Sequence, residues 1–272
     1  MEHIKVNPNL QTSIKSSKTE IIPWYLFPNV LALDAPIVAI VWQHFLAKIF
    51  KIELSGIETA ILFSTVWFIY LLDHFLDSKN SIYTTQRHVF IEKKRILAIT
   101  LITLTFTTSV YLTTLLPKLI IVSGFILIIL ISIYLLLVHS NIINLKTKTN
   151  SKELLVGIGF GAGVSLPVIN SGLSINIWLP AVTLFSLLCW VNCKLIDNWE
   201  SNHFRFSKKE IFLLLVLFLC MFFCSKSLVI AVMIALCAFF IVDRFVGSKN
   251  KKLSRVLADV CLLSPCLFWD QE

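Results

Sequence analysis

The stretch IETAILFSTVWFIYLLDHFLDSKN, residues 57–80, is apolar for most of its length and then closes on two aspartates four residues apart, Asp73 and Asp77. About 20 apolar residues in a helix rise roughly 30 Å, the thickness of a bilayer's hydrocarbon core. The stretch lacks the apolar/polar alternation of a barrel strand, so it reads as a membrane-spanning helix, with every backbone group satisfied within it. Its two acids then need a reason, because a carboxylate at mid-bilayer costs roughly 2.5–3.5 kcal/mol.

The rest of the chain repeats the pattern. Of its 272 residues, 57% are hydrophobic and 15% charged. The mean hydropathy is +0.82, far from the balance of a soluble domain. Span-length segments lie near 27–50, 54–76, 95–116, 118–138, 153–171, 174–196, 209–225, 227–243 and 253–269. The expectation is an all-α, polytopic membrane protein of nine transmembrane helices. Residues 1–25 would form a polar cytoplasmic arm rather than a cleaved signal, and 26–272 a single transmembrane domain.

Charge supports that count. With nine spans, nineteen of the 24 Lys and Arg fall on the side of the N-terminal arm and four on the other, with Lys194 inside the sixth segment. This obeys the positive-inside rule and predicts an integral multi-pass protein of a bacterial cytoplasmic membrane, its N-terminus cytoplasmic. The basic residues are loop clusters facing membrane lipids, so the net charge of +8 does not imply nucleic acid. All seven cysteines sit in apolar stretches and read as reduced packing residues.

Asp73 and Asp77 then lie at the cytoplasmic end of the second segment. A second cluster, CWVNCKLIDNWESNHF (189–204), ends the sixth segment on the same side with Asn192, Asp197 and Glu200. Asp73 and Asp77 share one helix face, as do Asp197 and Glu200. Oxygen ligands from two helix ends suit Mg²⁺, which bridges one or two carboxylates to substrate phosphates. The competing reading is interfacial ion pairing, Lys194 with Asp197 and Arg87 or Lys79 with Asp77.

The chain resembles the UbiA superfamily of intramembrane prenyltransferases, a divergent branch of it. The resemblance rests on the topology, on Asp73 and Asp77 as the last two acids of an N-D-x-x-D-x-x-x-D motif, and on Asp197 opening a thinned second motif with Glu200 the nearest following acid. Ile69 and Tyr70 stand where that motif has Asn-Asp. The resemblance implies an Mg²⁺-dependent enzyme moving an isoprenoid group from a prenyl diphosphate to a small hydrophobic acceptor. The metal ligands and catalytic carboxylates would be Asp73, Asp77, Asp197 and Glu200, with Arg87, Lys152, Asn192, Tyr70 and Trp67 as substrate contacts. A terpene cyclase using the same site, and a non-catalytic lipid-binding or scaffold protein on the same fold, are the alternatives.

Several other features compete. Trp42, Phe63, Trp67, Phe68, Phe185 and Trp190 could line an isoprenoid slot, although packing explains most aromatics; Trp24, Trp178, Trp199 and Trp269 read as an interfacial belt. Asp34 and Asp259 are acids in or near spans and so functional candidates, with Arg255 one turn before Asp259 offering a structural role. The run GIGFGAG (157–163) follows no strand and precedes no Lys-Ser/Thr, so it is not a nucleotide loop. Gly157 with Gly161, and Gly159 with Gly163, instead make two small faces for close helix packing. A transporter is disfavoured by the absence of a midplane charge pair and of a visible inverted repeat.

Overall fold

A computed structural model describes residues 23–80, 90–91, 93–139, 149–201 and 208–268. Among them the chain is helical throughout, with no strand. Nine helices of eleven residues or more are formed: α1 (Asp34–Phe50), α2 (Gly56–Asn80), α3 (Arg95–Thr113), α4 (Lys118–His139), α5 (Thr149–Val164), α6 (Ile175–Ser201), α7 (Lys208–Met221), α8 (Lys226–Phe245) and α9 (Lys251–Cys261). Each overlaps one of the nine expected segments.

Four of them, over Gly56–Ser78, Arg95–Thr113, Ile175–Glu200 and Lys226–Phe245, are long and apolar enough to cross a bilayer by themselves. A fifth span is formed if α1 is joined to the short helical turns at Trp24–Val30, which meet it at a bend of 77°. The bend has a local cause. Ala32 adopts φ 55° between the two pieces, and Asp34 then starts α1 by accepting from the backbone N–H of Ala35 (2.9 Å) and from Asn29 Nδ2 (2.7 Å).

Two of the other segments are broken by their sequence. The stretch expected over 153–171 divides at Ser165 into α5 and a turn at Leu166–Ile169, with Pro167 in the first turn of the second piece. The last segment is an 11-residue helix followed by a 3₁₀ turn at Ser264–Phe268 that contains Pro265. Eleven residues rise only about 16 Å.

α6 is the central helix: 72% of its apolar window is buried inside the protein, against 11% for α3. Its closest neighbour is α5, and glycine makes that approach possible. A Cβ on Gly157 would stand 2.7 Å from the Ser186 carbonyl oxygen, and one on Gly161 would collide with the Ser186 side chain. The other small face, Gly159 and Gly163, meets Ile131 and Leu127 of α4 at ordinary van der Waals range. The core around α6 is aromatic: Trp42 stacks on Phe185 at 4.2 Å, and both are fully buried with Trp190. The Trp42 indole donates to the Leu262 carbonyl (2.7 Å), tying α1 to the chain just past α9. On exposed α3 the hydroxyls of Thr100, Thr103 and Thr107 donate back to the carbonyls of Ile96, Ile99 and Thr103, which satisfies them without water. All seven cysteines are free thiols.

Candidate functional site

A cavity of about 120 Å³ opens where α1, α2, α5, α6 and α9 converge. Its wall is polar for a membrane protein: Asn29 and Asp34 before and at the start of α1, Tyr70 and His74 on α2, Asn192 on α6, and Arg255 and Asp259 on α9, with Phe160, Cys189 and Cys193 between them. Each pair on a helix is spaced by four residues, the repeat that keeps two side chains on one face.

The wall is wired by hydrogen bonds. Asn192, 7% exposed, donates from Nδ2 to Asp259 Oδ1 (3.1 Å). Its Oδ1 is buried with no hydrogen-bond partner among the described residues. Asp34 is satisfied from Asn29 and Ala35 as above. Arg255 reaches out of the cavity to Glu200 Oε1 (2.6 Å), and Lys251 donates to the Glu200 carbonyl (3.0 Å). The end of α6 is thus fastened to α9.

Two further links fasten the same helix end. Lys194 pairs with Glu210 of α7 at 3.0 Å, both side chains almost fully buried. The Trp199 indole donates to Asp243 of α8 at 2.7 Å. Trp199 is therefore a buried tether and not a belt residue: at 3% exposure it has no access to an interface, whereas Trp24, at 84%, does.

The expected site residues divide accordingly. Tyr70 and Asn192 line the cavity. Asp73 and Asp77 are half-buried on α2; at 3.6 residues per turn Asp73 stands about 60° round the helix from Tyr70, beside the cavity-lining face. Asp197 lies 3.9 Å from Lys194, close to the expected pairing, although Glu210 is the nearer partner of that lysine. Glu200 is engaged by Arg255. Trp67 lines a different surface, a groove between α1, α2 and α3, and its indole donates to the Leu31 carbonyl (2.9 Å). Arg87 and the side chain of Lys152 lie outside the described residues. Of the expected aromatic slot, Trp42, Phe185 and Trp190 are core, Phe63 joins Trp67 in the groove, and Phe68 packs on Phe106.

Among the described residues no three His, Cys, Asp or Glu side chains stand close enough to hold one metal ion. The two acidic helix ends therefore do not make a single four-carboxylate centre. Asp73 and Asp77 remain a pair of hard oxygen donors one turn apart on one helix, a set that suits Mg²⁺ when phosphates and water complete its shell. Glu200 is held by the Arg255 guanidinium through Oε1.

Asp259 and Arg255 are the residues whose part in the cavity the sequence understated. The signal was present: an ionisable residue in an apolar segment is a functional candidate by default. Glu210, at the start of the α7 apolar run, gave no such signal, because first-turn acids are ordinary helix-end residues. Compared with known proteins, the chain matches no family model, no curated protein and no solved structure. What its own residues define is an all-helical membrane protein with a small polar cavity at the end of the bundle where α2 and α6 carry their acids.

Proposed function

We propose that this protein is a UbiA-like intramembrane enzyme of nine spans with a cytoplasmic N-terminus, and that it ionises a prenyl diphosphate and transfers the isoprenoid group to a small hydrophobic acceptor. The observation that carries the reading is that α2 and α6, the two helices with acidic ends, are also two walls of one polar cavity, through Tyr70 and His74 on one side and Asn192 and Cys193 on the other.

In this reading Asp73 and Asp77 hold Mg²⁺ at the helix end. A metal held there would neutralise charge on the departing diphosphate. The diphosphate stays at that end, because Asp34 and Asp259 outnumber Arg255 among the charged groups that line the cavity. Only the allylic end of the hydrocarbon enters, where Tyr70 and Phe160, 6.4 Å apart and edge to face, exclude water and offer π faces to a developing cation. Asn192 and Asp259 orient whatever enters by hydrogen bonding.

The test is Mg²⁺-dependent binding and turnover of geranyl, farnesyl and geranylgeranyl diphosphates by the purified protein. Binding that needs both the metal and Asp73 with Asp77 supports the reading, and a cyclic product formed from the donor alone would reassign it to a terpene cyclase. No binding at any chain length removes it. The second reading is a non-catalytic lipid-binding protein on the same fold. It is favoured by one observation, the Glu200–Arg255 pair that ties up the second acidic cluster.

A further inference from the structure

On the far face of α1 from the polar cavity, α1, α2 and α3 enclose a groove of about 610 Å³, five times the volume of the cavity. Its body is apolar, with Ile40, Phe63, Trp67, Leu104 and Leu112 on its walls. Most of the polar groups along it are already bonded within the protein. Ser64 donates to the Ile61 carbonyl and accepts from Ser109 (3.0 Å), Thr105 donates to the Leu101 carbonyl, and the Trp67 indole is committed to Leu31. The groove therefore asks for hydrocarbon, not for a polar ligand.

Three features say which hydrocarbon. From Gly56 to Trp67 along α2 the groove runs about 16 Å, roughly half the hydrocarbon thickness of a bilayer, which is the depth of one leaflet. One of its walls is α3, the least buried of the four full-length spans, so the groove opens to the lipid side. A hydrocarbon-lined hollow at that depth must be filled by a chain, since a void forfeits dispersion contacts and water there would find no partners.

The polar end is chemically defined too. His44 and Thr59 meet there at 3.1 Å, and a Cβ built on Gly56 touches nothing within 4 Å, so the mouth is open. Around the connection from α1 to α2 at that end stand two cations, Lys48 and Lys51, and two anions, Glu53 and Glu58. Opposite charges in equal number match a head that carries both signs and give an anionic head no net attraction.

We propose that this groove is a binding site for one acyl chain of a zwitterionic phospholipid, its head at the His44–Thr59 end and its chain ending against Trp67. The site is independent of any prenyl-diphosphate chemistry.

The experiment is native mass spectrometry of the purified full-length protein after exhaustive delipidation and re-addition of phosphatidylethanolamine or phosphatidylglycerol, with neither Mg²⁺ nor prenyl diphosphate present. One phosphatidylethanolamine should be retained per chain in preference to phosphatidylglycerol. Ala60→Phe from the α2 wall and Thr108→Phe from the α3 wall should each lower that retention about tenfold, whereas Leu130→Phe, on the exposed surface of α4, should leave it unchanged. A size-exclusion profile and thermal midpoint like those of the parent protein show that the variants are folded. Retention of no lipid, equal retention of both lipids, preference for phosphatidylglycerol, equal loss in all three variants, or an isoprenoid chain retained in place of the phospholipid would each overturn the proposal.

Discussion

The ends of α2 and α6 carry the same residue type at nearly the same spacing, and the fold gives them different work. Asp73 and Asp77 stand half-buried on a helix that packs chiefly on α1 and α3. The end of α6 is enclosed by three helices and tied to each of them: Lys194 to Glu210 of α7, Trp199 to Asp243 of α8, and Glu200 to Arg255 of α9. In the proposed reading the acids at one helix end are a ligand pair, whereas Glu200 at the other is joinery. Enclosure makes the difference, because a charge surrounded by protein must be paired or it does not stay ionised.

The comparison is easiest to break at Lys194. Lys194→Met leaves the Glu210 carboxylate buried without its ammonium, so the thermal midpoint in detergent should fall by the equivalent of about 3–5 kcal/mol, and the double variant Lys194→Met/Glu210→Leu should recover most of it. If the single variant were as stable as the parent, the α6 end would not be joinery.

The seam that holds α6 in place comes next. Gly161→Ala puts a methyl into the Ser186 side chain and backbone, and overpacking of this kind costs about 1–3 kcal/mol; Gly159→Ala, on the face turned to α4, should be neutral or slightly stabilising. Equal effects of the two in the same thermal assay would mean that α5 does not dock on α6 through Gly157 and Gly161.

A smaller loss, about 1 kcal/mol or less, is expected from Glu200→Gln, since that carboxylate is 38% exposed and its pairing with Arg255 is screened by solvent. The α2 end should show its effect in binding. Asp73→Asn/Asp77→Asn should lower Mg²⁺-dependent binding of farnesyl diphosphate at least about tenfold. Stability lost there without any change in binding would invert the comparison.

The two small faces of GIGFGAG were legible because a repeat of four residues on a helix is geometry and needs no partner to be read. The sequence indicated where Gly157 and Gly161 would pack closely but not against what. The i, i+3 pairing of Lys194 with Asp197 was legible for the same reason, and the structure keeps it as the longer of two contacts. The nearer partner, Glu210, lies on another helix, where sequence spacing carries no information. Trp199 was misread because indoles at helix ends are common at interfaces, and only its bond to Asp243 distinguishes a tether from a belt.

By itself the sequence determined the solvent and the secondary structure. Runs of apolar residues this long can satisfy their backbone only as helices in a membrane, and hydropathy, glycine spacing and proline are local properties that a chain states directly. The tertiary structure alone decided which helix Glu200 and Glu210 are paired to, which carboxylates face a cavity and which aromatics line a groove. Those outcomes depend on contacts between residues as far apart as Asn192 and Asp259 or Trp42 and Leu262, and no local pattern specifies such a contact until the helices have packed.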